Sequence, residues 1–173
     1  MDYEKMAALA KEVGYTNMGP LNPKTIEQKP EVRQMCQACG RYAKHWSCPP
    51  GCGTLEECTR KVAKYSRGIL VQTVGELEDE FDGEAMMETQ EQHKIHFRAL
   101  CDKLQDADVL KLGAGCCTIC KECSYPDAPC RFPEKMVSSM ESYGMVVAEV
   151  CKANNVPYYY GKNTIAYTSC ILF

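Results

Sequence analysis

The sequence predicts a small domain of α/β or α+β type: a mixed sheet with flanking helices and two cysteine-rich loops packed beside it. Three observations lead there. Helical and strand-like periodicities alternate along the chain, with no stretch that is purely sheet-like. At 173 residues the chain is the size of one domain, 1–173, and can bury a real core. Its 13 cysteines gather mainly at 36–58 and 116–130, and these two segments interrupt the regular pattern.

The elements follow in order. A helix is expected over Tyr3–Val13, where Met6, Leu9, Ala10 and Val13 share one face and Gly14 supplies the stop. The proline-containing stretch after it predicts a short strand and a turn, and Val32–Met35 leads into the first cysteine group. Thr54 followed by Glu57 is a capping-box pattern, so a second helix should run from Thr54 to about Ser66. From Gly68, GILVQTVG reads as a buried strand. The acidic run at 76–83 reads as a solvated turn. A long amphipathic helix is expected over Ala85–Ala107, since Met86, Gln90, His93, Phe97, Leu100 and Leu104 recur every three or four residues. Val109–Leu112 is a short apolar run. Pro133 should open a last helix carrying Met136, Met140, Val147 and Val150, split or weakened by Gly144. Two strands are expected around Gly161–Asn163, the second being the β-rich run Thr164–Phe173.

Composition narrows the function classes. Hydrophobic residues make up 45% of the chain and charged residues 25%, a globular mixture, and the formal net charge of -3 gives no support for broad nucleic-acid binding. No apolar run is long enough for a membrane span, and the amino-terminal segment lacks the apolar core of a secretory signal. A cytoplasmic protein is therefore expected. The cysteines are the outlier. A disulfide scaffold would suit a short secreted chain, whereas here the count is odd and three cysteines stand two residues apart in a row. Metal or cluster binding is the favoured reading, and so many reduced thiols fit a reducing cytosol such as that of an anaerobe.

The second group is the more specific. Cys117, Cys120 and Cys123 form C-x2-C-x2-C, and Cys130 follows. A run of this kind can wrap one face of an iron–sulfur cubane, with a fourth thiolate arriving from farther along the chain. Pro126 and Pro129 should stiffen that connection. Cys116 sits beside Cys117, is not expected to share its cluster, and reads as a core thiol, a functional thiol or an alternative ligand. The first group offers Cys36, Cys39, Cys48 and Cys52 as C-x2-C-x8-C-P-P-x-C, four ligands for a second [4Fe–4S] cluster. Pro49, Pro50, Gly51 and Gly53 make a rigid loop free of bulk that lets backbone approach a cluster. Cys58 is a spare thiol or a substitute ligand. Zinc is the rival throughout, since four thiolates suit a tetrahedral ion equally well. Cys101, Cys151 and Cys170 stand alone and read as buried small hydrophobes.

Three segments carry a resemblance. CQACGRYAKHWSCPPGC, GAGCCTICKECSYPDAPCRFPEK and YYYGKNTIAYTSCILF together resemble the DUF2284 family of predicted metal-binding proteins, over nearly the whole chain. The resemblance implies small cytoplasmic iron–sulfur proteins of anaerobes. It carries over Cys36, Cys39, Cys48 and Cys52, then Cys117, Cys120, Cys123 and Cys130, and Cys116 departs from the small residue expected at its position.

Two [4Fe–4S] clusters closed by eight thiolates imply one-electron transfer to a redox partner protein. No Rossmann glycine fingerprint is present, so no tightly bound nicotinamide or flavin is inferred. Arg41, Lys44, His45, Arg60, Lys61 and Lys64 flank the first group and read as a docking patch for an acidic partner or as ordinary surface charge. Two alternatives stand beside the relay. One is an enzyme with an open cluster iron acting on a small or sulfur-containing substrate, with Cys58 or Cys116 as a nearby thiol, His45 as a proton donor, and Tyr158, Tyr159, Tyr160 and Asn163 lining its pocket. The other is metal or cluster delivery. Trp46, between the halves of its group, reads as a core anchor or as a shield for the cluster.

Overall fold

The structure is a computed structural model that describes residues 1–173. Its centre is a five-stranded mixed sheet in the order β1-β2-β5-β3-β4. The strands are β1 (Asn17–Leu21), β2 (Gly68–Glu76), β3 (Leu110–Gly113), β4 (Ser138–Ser139) and β5 (Thr164–Leu172). Neighbours are antiparallel except β3 and β4, which run parallel. The two long strands β2 and β5 pair along their whole length, from Gly68 opposite Leu172 to Glu76 opposite Thr164. Pro20, which has no N–H to give a ladder, sits on the edge strand β1 where none is needed.

The sheet is buried on both faces, which explains the consecutive apolar residues Ile69–Val71 of β2. Ile69, Val71 and Ile171 face one way, against α1 (Tyr3–Glu12) and α4 (Gly83–Asp102). Leu70, Leu112, Cys170 and Leu172 face the other, against α3 (Leu55–Val62), α5 (Val147–Ala153) and the segment around Met140–Met145. Cys58, Cys151 and Cys170 are fully enclosed in this second core, and Cys101 belongs to the first.

Most helix boundaries obey their caps. Asp2 accepts from the Lys5 amide at the start of α1, and Gly14, at φ +107°, ends it. The capping box of Thr54 and Glu57 is complete, with both reciprocal bonds made.

Three expectations need correction. Residues before Cys36 form a helix, α2 (Pro30–Ala38), not merely a lead-in. Pro30 takes the first helical position, but Val32 is its one buried hydrophobe and Met35 points into solvent, so no apolar period announced it. The helix expected from Pro133 starts only at Val147. Before it, Ser138–Ser139 join the sheet beside β3, a single 3-10 turn covers Glu141–Tyr143, and Gly144 turns left-handed at φ +80°. Met140, Val147 and Val150 are all in the core, so their spacing recorded burial and not one continuous helix. Around Gly161–Asn163 there is one strand, β5, preceded by a turn in which Gly161 and Asn163 have positive φ. No helix is long and apolar enough to cross a membrane.

Candidate metal centre

The loop leaving β3 at Ala114 and returning at β4 carries the second cysteine group. It brings Cys117, Cys120, Cys123 and Cys130 to the wall of one narrow cleft, completed by His45, Trp46, Ser47, Ile119 and Met136. All four thiols are half-buried. The cleft measures about 20 Å³ as the side chains stand, room for about one water. No three His, Cys, Asp or Glu side chains stand positioned around a single ion. The thiols must therefore turn inward about any bound group. The donor set is soft, four sulfurs with no carboxylate among them, which suits an iron–sulfur cluster or zinc and not a hard cation. Burial pushes the Cys117 thiol up, while the backbone amides of Ile119 and Val137 pull it back.

The first cysteine loop forms part of that cleft. Ser47 is buried, and its hydroxyl accepts from the Cys117 amide at 3.1 Å while lying 3.8 Å from the Cys48 sulfur. Trp46 donates its indole N–H to the Ala128 carbonyl at 3.0 Å and meets Tyr125 edge-on, with ring centroids 4.9 Å apart. Gly51 has a different use from the one expected. A Cβ there would come within 2.7 Å of the His45 carbonyl and 3.1 Å of the Tyr125 ring. Its missing side chain lets the Pro-Pro-Gly turn pack against its own loop and the second one. Trp46 is thus a tie between the two loops.

The four cysteines expected in the first group are split. Cys36 lies in the last turn of α2, Cys39 caps that helix and is exposed, and Cys48 is buried. Burial pushes the Cys48 thiol up to about 11, against a bond from Ser47. Of the neighbouring thiols, Cys116 adds most to that rise, ahead of Cys39 and Cys36. Cys116 is therefore a neighbour of this group as well as of Cys117. Burial also raises Cys36.

Cys52, although electrostatically linked to Cys48, faces Cys58. Arg33 from α2 closes this corner. Its guanidinium donates to the Gly53 carbonyl at 2.7 Å, to the Ser142 carbonyl at 3.0 Å and to the Cys58 sulfur at 3.6 Å. The hydrogen bond from Cys52, then Arg33 and Lys61, hold the Cys58 thiol below its usual value. The same bond, with burial, drives Cys52 up. Sequence reasoning missed Arg33 and Ser47. The signal for Arg33 was a lone cation three residues before Cys36 on a helix not expected, and Ser47 had none.

Other expected residues fall as follows. His45 borders the second cleft, and burial with Arg41 and Lys44 lowers its pKa. Arg60, Lys61 and Lys64 line an open depression beside Gly51–Gly53, with Arg60 bonded to Glu56 at 3.3 Å. Tyr158, Tyr159, Tyr160 and Asn163 border neither this depression nor the cleft. Tyr160 bonds Gln72, and Asn163 bonds the Glu78 carbonyl. A larger cavity of about 250 Å³ adjoins the second loop, with Cys116 and Cys117 in its wall.

Interlocked thiol-rich loops beside a mixed α/β sheet fit a cysteine-rich metal-binding protein. The chain belongs to the DUF2284 family, described as predicted metal-binding proteins, whose model matches residues 19–173. No curated protein and no solved structure matches it.

Proposed function

We propose that this protein holds two [4Fe–4S] clusters and passes single electrons to a partner protein. Cys117, Cys120, Cys123 and Cys130 are the ligands of one, and Cys36, Cys39, Cys48 and Cys52 those of the other. The carrying observation is the convergence of Cys117, Cys120, Cys123 and Cys130 on one cleft, because C-x2-C-x2-C supplies three ligands in ferredoxin-type runs, and here Cys130, after six intervening residues and without the ferredoxin Cys-Pro, reaches the same cleft. A bound cluster supplies reversible one-electron chemistry. The chain supplies the rest. Trp46, braced edge-on by Tyr125, lines the cleft, and Ser47 fixes the Cys117 amide. Burial keeps Cys48 and Cys117 protonated in the metal-free chain, so loading must release those protons and weakens as pH falls. The basic depression at Arg60, Lys61 and Lys64 beside Cys52 is the docking face for an acidic partner.

The test is anaerobic purification with metal and sulfide analysis. About eight irons and eight sulfides per chain, with a visible absorption band that bleaches on reduction, are expected. A colourless protein carrying two equivalents of zinc overturns the reading.

A second reading has its own support. Cys52 faces Cys58, which leaves the fourth position beside Cys36, Cys39 and Cys48 contested, and a cavity borders Cys116 and Cys117. These favour an enzyme in which one iron lacks a cysteine ligand. Spectroscopic detection of a non-cysteine ligand on a cluster iron separates it from the relay.

A further inference from the structure

The 250 Å³ cavity lies between α4, β3 and the second cysteine loop. We propose that it binds a small dianion, either a short dicarboxylate or a phosphorylated compound. This goes beyond the electron-relay reading and does not depend on it.

Four cations from three separate elements line the cavity: Lys94 and Arg98 one turn apart on α4, Lys111 on β3, and Lys135 on the loop. Two carboxylates, Asp102 and Glu134, stand against them. None of the four cations is in an ion pair, since every salt bridge of the chain lies elsewhere, on Lys29, Arg60 and Lys103. In a chain of net charge -3, that many unpaired cations around one cavity is not the product of general basicity.

Two of the cations are also held in place. Arg98 gives one N–H to the Thr118 hydroxyl at 3.3 Å, and Lys111 gives one to the Cys101 carbonyl at 3.1 Å, leaving further donors on each. Lys94 and Lys111 are half-buried and so are not simply solvated surface charges. Neither Asp102 nor Glu134 forms an ion pair with them, so the four cations outnumber the carboxylates of the lining. His93 has both ring nitrogens engaged by the hydroxyls of Thr73 and Ser169, and Phe97, Ile119 and Val137 make the apolar lining. Apolar and cationic side chains in one lining suit a compact dianion. The volume lies just below the roughly 300–1,000 Å³ of pockets for drug-sized ligands, which sets the occupant at metabolite size.

Isothermal titration of the full-length, metal-loaded protein at low salt tests this, with succinate, inorganic phosphate and neutral succinamide as probes. At least one dianion should bind while succinamide does not. Arg98→Gln and Lys94→Gln should each weaken that binding about tenfold, and Lys152→Gln on the far surface should leave it unchanged. Tighter succinate assigns the dicarboxylate class, and tighter phosphate the phosphorylated class. Dianions that bind no better than succinamide, or equal binding by Arg98→Gln, Lys94→Gln and the unaltered protein, overturn the proposal. Metal content and thermal melting of each variant are read alongside, so a failure of the cluster assignment shows in the metal analysis and not in the titration.

Discussion

His93 gives the stability of this protein a pH dependence whose size can be worked out. It sits on α4 at 1% exposure, with Thr73 on one ring nitrogen at 2.9 Å and Ser169 on the other at 2.7 Å. Burial, with a smaller push from His96, lowers its pKa to about 3. The folded chain therefore keeps His93 neutral where the unfolded chain, with a histidine pKa of about 6.5, takes up a proton. A depressed histidine stabilises the fold at neutral pH relative to acid, and that stability is lost as pH falls below about 6.5. Between pH 7.5 and 5.5 the loss is about 1.4 kcal/mol, one unit below the unfolded pKa at about 1.36 kcal/mol per unit. For a chain of this length that corresponds to a drop of roughly 3–6 °C in melting temperature. The assay is circular-dichroism melting at both pH values for the unaltered protein and His93→Gln. The variant starts lower, because the buried Ser169 and half-buried Thr73 hydroxyls lose their partner, and it should fall by that much less on acidification. His45 and any acid loss of metal affect both proteins and cancel in the comparison. An equal drop in the two proteins refutes the reasoning.

Three further outcomes are expected. Cys120→Ser should lose about half the bound iron, measured by metal analysis, whereas a protein with both clusters intact contradicts the assignment of Cys120. Cys52→Ser and Cys116→Ser compete for the fourth position beside Cys36, Cys39 and Cys48. On the proposed ligand set Cys52→Ser lowers the iron content and Cys116→Ser does not, and the reverse result moves the ligand to Cys116. Arg33→Met leaves the Gly53 and Ser142 carbonyls without their charged donor, which should cost roughly 3 kcal/mol or more, read as a lowered melting temperature in a protein that still binds metal.

The sheet and its covering helices were legible because their signals are local. β2 is an apolar and β-branched run, the Thr54–Glu57 box marks its helix, and Gly14 marks a stop, each within a few residues of the element it controls. The region from Pro133 to Val150 was misread because Met140, Val147 and Val150, seven and three residues apart, were buried by a tertiary core, not by one helix face. The centre shows the same division. The grouping of the second set of cysteines on one cleft was legible because they stand within one short loop. The surroundings of the first were not, because Arg33, three residues before Cys36 on a helix with no apolar period, turns toward Cys58, and because Cys116 approaches Cys48 from 68 positions away along the chain. Spacing within a loop cannot report a thiol supplied by a different loop.

That exchange between loops makes Ser47 the residue that joins the two proposed centres. Its hydroxyl oxygen takes the Cys117 amide, and the same atom lies within reach of the Cys48 sulfur. Ser47→Ala removes little volume, so its effect should come from these two partners. The Cys117 amide would be left without its acceptor in a half-buried position, at a cost of about 1–3 kcal/mol. The Cys48 thiol would lose the bond that now opposes its rise, so its proton becomes harder to displace. Both centres should then release metal faster to a chelator, and the loss at the centre of Cys48 should grow more steeply as pH falls, since its ligand proton competes there. The measurement is chelator-driven metal release followed between pH 8 and pH 6.5, carried out in the Cys120→Ser background as well so that the first centre is observed alone. Release unchanged at both centres would mean that the two loops merely touch at Ser47. Faster release at both would mean that each loop depends on the other for its order, and that the two centres must be assembled together.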